Sequence, residues 1–345
     1  MRLKMLLALP AVVFLATNAA AQEGSATGLT NPEAMMISDS LASNPDILVA
    51  GTGWMSRAAI PVAAGIAQGS TVASACGTTI YHIGGGISGA LTPTNRVFAY
   101  SVADNTWTEV APMPFSPGVR SYGAAVEVDG FIYVFGGLDG TNVINRTFIY
   151  DEANDAWSQG VNMPAPRFGS AVATDGAVIW VIGGFGGTSL GDETRTVWKY
   201  DPAAGTYTTG FTDMPGPLGR IHGVELADGT VHVFAGGFDG NNHLVYNTGT
   251  NSWSTAPAMP FGVTDPATVT DGTLIYLGGG GGPSPRGPGH LQIYNPSTST
   301  WSQGSMMPAP AVDNTSGALA DGWFYVTGGY NGATSVSTNY SISVP

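Results

Sequence analysis

Asp129-Gly130-Phe131-Ile132-Tyr133-Val134-Phe135-Gly136-Gly137 decides the reading of this chain. An Asp-Gly pair is a hairpin-turn signal, and the five residues after it are apolar on both strand faces. Such a strand is covered on two sides. The double glycine that ends it recurs at Gly84-Gly85, Gly183-Gly184, Gly236-Gly237, Gly278-Gly279 and Gly328-Gly329, in steps of 42 to 53 residues. A repeat near fifty residues with several short strands per unit predicts a propeller of radial sheets. The units run 69–114, 120–164, 167–215, 220–260, 263–308 and 312–345.

Working outward, each unit divides into four strands. First strands are small, as in Gly169-Ser170-Ala171-Val172-Ala173, which suits sheets converging on an axis. The Asp-Gly turns at Asp129, Asp175, Asp228, Asp271 and Asp321 join first strand to second. Tyrosine and tryptophan seven residues apart mark the third and fourth: Tyr100/Trp107, Tyr150/Trp157, Tyr246/Trp253 and Tyr294/Trp301, with Tyr200/Tyr207 as a variant. Each tryptophan precedes a proline by seven residues, and Trp54/Pro61 has that spacing ahead of the first unit. The last unit stops at Pro345 without a fourth strand. Residues 52–59 are therefore expected to supply it and close the ring, which removes open sheet edges.

The double glycine followed by the Tyr/Trp pair resembles the Kelch repeat. The resemblance implies an all-β, six-bladed Kelch-type propeller over residues 47–345, its ring closed by an N-terminal strand. It implies little about activity, because the family includes enzymes and pure binding modules.

Composition narrows the partners. Charged residues make up 10% of the chain, and the formal charge of −13 repels nucleic acid and anionic lipid. Residues 1–21 carry Arg2, Lys4, an apolar run from Met5 to Ala16 and Ala19-Ala20-Ala21, the pattern of a secretory signal peptide. Loss of that leader makes the charge −15. Residues 22–46 form a polar N-terminal segment. The expectation is an exported monomer, periplasmic or extracellular, without membrane insertion. Cys76 is the single cysteine, so no internal disulfide is available.

Strand alternation places the loops after the double glycines and the residues leading into first strands on one face. Arg120, Arg167 and Arg220 begin three consecutive units there, in a chain with eleven basic residues. Asp265 and Asp313 take the equivalent stretches of the next two units, and Gln68 that of the first. Phe185, Phe238, Asp239, Tyr330, Asn331 and Asp139 belong to loops of this face; Tyr122, Phe168 and His222 sit just inside. The candidate ligand-binding set is Arg120, Arg167, Arg220, His222, Asp265, Asp313, Phe185, Phe238 and Tyr330. Guanidinium forks suit a carboxylate and aromatic rings suit a sugar face. The alternative is that the arginines bridge blades or pair with Asp139 and Asp239.

Gly84-Gly85-Gly86-Ile87-Ser88-Gly89 fits a dinucleotide pattern, but Leu91-Thr92-Pro93 follows where a helix must start, so that reading is rejected. His222, His243 and Asp239 could meet as zinc ligands, without the tight spacing such sites show. No cofactor or metal is expected. Two functions follow: a binding module for a small anionic ligand, a glycan or a protein or peptide, or a carbohydrate enzyme. Bacterial sialic acid mutarotases, exported six-bladed Kelch proteins, exemplify the second, although the units here are shorter in their loops. Catalysis is left open.

Overall fold

The computed structural model describes residues 53–115, 118–120, 124–189, 191–236, 240–281, 289–308 and 315–344. The expected leader (1–21) and polar segment (22–46) lie outside them. Among the described residues every regular element is a strand, and six four-stranded antiparallel sheets account for nearly all of the strands. Blades 1 to 5 take their strands in chain order, from Ser70–Ala73 in blade 1 to Thr300–Gln303 in blade 5, with blade 1 interrupted by the short strands Gly86–Ile87 and Thr92–Pro93 of a separate small sheet. Blade 6 joins Ser316–Ala320, Trp323–Thr327 and Asn339–Ser343 to Trp54–Ser56. First strands of neighbouring blades touch all the way round, and that of blade 6 touches that of blade 1. The sheets therefore form a closed ring.

The second strands are apolar because a blade covers each face. Ile132, Val134 and Phe135 are fully or almost fully buried, and the apolar clusters span adjacent blades rather than lying within one. The Tyr/Trp pairs stand opposite each other in register with ring centroids 4.9–5.0 Å apart. Each tryptophan then donates its indole N–H to a carbonyl of the preceding blade: Trp107 to Ala58, Trp157 to Ala111, Trp253 to Thr212 and Trp301 to Pro257, at 2.7–2.9 Å. Trp54 makes the same bond to Ser305 at 2.9 Å. Its strand pairs Trp54 with Ile342 and Ser56 with Tyr340. Ile342, not Tyr340, thus faces the tryptophan of blade 6.

The double glycine is a staple between blades. Its first residue is left-handed, with φ near +60°, and its second has φ from +82° to +119°. The second N–H donates to the lead-in of the next blade: Gly85 to Val119, Gly137 to Arg167, Gly184 to Leu218 and, across the closure, Gly329 to Ile66, all at 2.8–2.9 Å. The structure shifts two of these pairs by one residue from the sequence reading. In blade 4 the staple is Ala235 (φ +68°) and Gly236 (φ +112°); in blade 5 it is Gly279 and Gly280, with Gly278 inside the second strand. A left-handed alanine is tolerated, whereas φ beyond +100° suits glycine alone.

Candidate functional site

The residues before each first strand form the rim of the loop face, and their register is readable from backbone bridges. Arg120 pairs with Leu138, Phe168 with Phe185 and Thr264 with Gly281, each two residues past the first staple residue. Arg120, Phe168 and Thr264 are therefore equivalent. Arg167 lies one position earlier, where blades 2, 4 and 5 have Val119, Leu218 and Val263. Arg220 lies one position later, a left-handed site shared with Gln68 (φ +61°), Gly169 (φ +61°) and Asp265 (φ +47°). The three arginines thus occupy three successive positions, not one repeated position, and they project differently.

Arg167 turns into its own blade. It is 6% exposed, with its guanidinium 4.5 Å from the Trp198 ring centroid and bonded to Pro166 O and Thr196 Oγ1. Burial holds its pKa below the ordinary arginine value. Arg120 reaches back to blade 1, where Nη1 donates to Gln68 Oε1 at 2.9 Å, and its buried Nε has no hydrogen-bond partner. Among the described residues no carboxylate stands within ion-pair distance of Arg120. Arg220 reaches forward to blade 5, with Nε 3.3 Å from Asp265 Oδ2.

His222, two residues into the first strand of blade 4, places Nε2 3.6 Å from the other oxygen, Asp265 Oδ1. Neither oxygen makes a geometric hydrogen bond, so charge rather than directional bonding holds this carboxylate. The cluster is layered. Asp265 is 1% exposed, while the side chains of Arg220 and His222 keep 15% and 9%.

Below this rim the first strands of all six blades line a central channel with a cavity of about 270 Å³. Thr71, Ser170, His222 and Ser316 line it with Glu127 and Glu225. Burial pushes both carboxyls above the usual range; for Glu225, with help from the charge of Asp175, the value reaches about 7. At the seam of blades 6 and 1, Thr71 Oγ1 contacts Ser316 Oγ at 2.6 Å, Thr327 Oγ1 at 2.7 Å and His82 Nδ1 at 3.0 Å. Burial lowers the pKa of His82 to about 4.

The remaining candidates separate. Phe185 stacks on Phe168 at 4.9 Å and 14°, and its edge fills the space beside Gly219, so it is 5% exposed and not an open platform. Tyr330 is partly exposed and bridges to Ser335 on the loop of blade 6. Asp139 accepts the N–H groups of Thr141 and Asn142 in a turn and does not serve an arginine. Asp313, Phe238, Tyr122 and Asp239 lie outside the described residues. His243 joins His232 rather than His222: its Nδ1–H donates to Pro257 O at 3.2 Å, leaving Nε2 to accept from His232 Nδ1 at 2.8 Å. Among the described residues no group of three or more His, Cys, Asp or Glu could hold a metal ion. Gly86-Ile87 pairs with Ile66-Ala67 and Thr92-Pro93 in a small three-stranded sheet, which places no helix after the Gly-rich stretch. No helix among the described residues is long and apolar enough to cross a membrane.

Ring, staples and Tyr/Trp pairs define a Kelch-type β-propeller. The chain belongs to the Kelch-repeat family, since the KLHDC2/KLHL20/DRC7 Kelch-repeats domain matches residues 64–237. It is similar to Kelch-like protein terF of Aspergillus terreus, 32% identical over 259 residues, covering 68% of this chain and 54% of that protein. Beta-scruin of Limulus polyphemus is 32% identical over 166 residues, covering 46% of this chain and 18% of its own length. The chain thus spans about half or less of these relatives. N-acetylneuraminate epimerase of Pasteurella multocida is 26% identical over 276 residues, covering 74% of this chain and 66% of that protein. The solved structure of YjhT superposes with a TM-score of 0.68 at 15% identity, covering 83% of this chain and 96% of that one, a likeness of fold.

Proposed function

We propose that this propeller is an exported binding module whose loop-face rim takes a small acidic ligand, a glycan or peptide bearing a carboxylate. The observation that carries the reading is the rim itself. Arg120 with Gln68, and Arg220 with His222 over Asp265, put polar and cationic groups at the mouth of the central channel in a chain of strongly negative charge. Arg120 leads, because among the described residues no carboxylate stands within ion-pair distance of it, and a guanidinium can engage one bidentately. Export rests on the leader pattern of residues 1–21.

A second reading is favoured by the similarity to N-acetylneuraminate epimerase: the same mouth would act on an acidic sugar, with His222 near enough to a carboxylate to move protons. One calorimetric titration with N-acetylneuraminate, on wild type and the Arg120→Ala and Arg120→Lys variants, tests the first reading. Binding should weaken about tenfold in Arg120→Ala and less in Arg120→Lys, because an ammonium cannot reproduce the planar fork. Unchanged affinity in both variants removes Arg120 from the site. Faster anomeric exchange of the sugar, followed by NMR, would favour the enzyme.

A further inference from the structure

We infer that anion binding at this rim is coupled to proton uptake by His222, with Asp265 as the built-in counter-ion that sets the coupling. The inference rests on the rim being an anion site. Asp265 presents Oδ2 to Arg220 at 3.3 Å and Oδ1 to His222 at 3.6 Å, so one buried carboxylate serves two groups able to carry positive charge. With His222 neutral, the charges of Arg220 and Asp265 offset each other. Protonating His222 adds one positive charge to these three side chains. Imidazole is the side chain whose charge changes in the physiological range.

The layering gives this charge a direction. Asp265 lies deepest at 1% exposure and the His222 imidazole is itself buried, while Arg220 keeps 15%, so a ligand arriving from the rim meets Arg220 first and senses the charge of His222 from behind it. Among the described residues, other charged groups around His222 are few. Arg220 immediately precedes its strand, and Glu225 ends it three residues on toward the far end. The flanking first strands, Ala171–Thr174 and Ala267–Thr270, bring no titratable side chain. His232, on the second strand of the same blade, is engaged with His243. Across the channel stands Glu127. An anion arriving at Arg220 adds its negative charge to that of Asp265.

The coupling is tested by titrating N-acetylneuraminate, and separately acetate, into wild type, His222→Gln and Asp265→Asn between pH 5.5 and 8. Asparagine is isosteric and tolerates the left-handed backbone of position 265, so the variant should fold. Affinity for both probes should rise as pH falls, by at most about tenfold per pH unit for one proton taken up. His222→Gln should flatten that dependence. Asp265→Asn should bind more tightly at pH 7.5, because the resident negative charge is gone, and should move the pH dependence to lower pH. Binding that weakens in Arg120→Ala and Arg220→Ala but is independent of pH, or equally pH-dependent in His222→Gln, overturns the coupling and leaves the anion site standing. Absence of binding at every pH overturns both.

Discussion

At the scale of single residues, burial sets the chemistry of the channel. Glu225 ends the first strand of blade 4 with Oε2 buried and without a hydrogen-bond partner. Burial, with the charge of Asp175, raises its pKa to about 7; the Trp180 indole, close by but outside hydrogen-bond geometry, offsets part of this. The sign of the consequence is fixed. Between pH 4.5 and about 7 the unfolded chain has lost this proton while the folded chain still holds it, so stability falls as pH rises through that window. Glu225→Gln should therefore raise the melting temperature at pH 8, by a free energy on the order of 1–2 kcal/mol after screening, and bring no gain at pH 4. Equal gains at both pH values would show that packing, not ionisation, separates the two proteins.

At the scale of the element, the closing strand carries the same device as every complete blade. Trp54 is fully buried, donates to Ser305 as the other tryptophans donate to their preceding blades, and lies 6.2 Å from Phe324. Trp54→Ala should cost about 3–5 kcal/mol, the range for a buried aromatic truncated in a packed core. Chemical denaturation checks this, and a loss below about 1 kcal/mol would mean that blade 6 holds without its fourth strand. The Tyr/Trp rhythm and the Trp54/Pro61 spacing made this strand legible in the sequence, because a repeated contact leaves a repeated residue. A second such contact went unread. Asn105, Asp155 and Asn251, two residues before their tryptophans and left-handed, accept both the tyrosine O–H of their own blade and an N–H of the preceding one. Their signal is a short polar residue at one offset, easily taken for turn chemistry.

At the scale of the molecule, the ring of blades was readable and the rim was not. Strand periodicity and staples are imposed by inter-blade packing, which acts on every unit alike. The rim depends on one-residue offsets: Arg167, Arg120 and Arg220 look equivalent in sequence, yet backbone bridges put them at three positions facing Trp198, Gln68 and Asp265. The two faces also differ in kind. The hairpin face carries self-contained turns, such as Asp271 accepting from Thr273 and Leu274, and Cys76, whose thiol is held at about 7 by hydrogen bonds from Ser74 and Thr78. The most direct measurement is a map of backbone amide shifts in the isotope-labelled protein as N-acetylneuraminate is added. The account predicts changes centred on Gln68, Arg120, Arg220 and Asp265, with the turns at Asp129, Asp175, Asp228 and Asp321 unmoved. Changes centred on those turns or on Cys76, with the rim still, would contradict it.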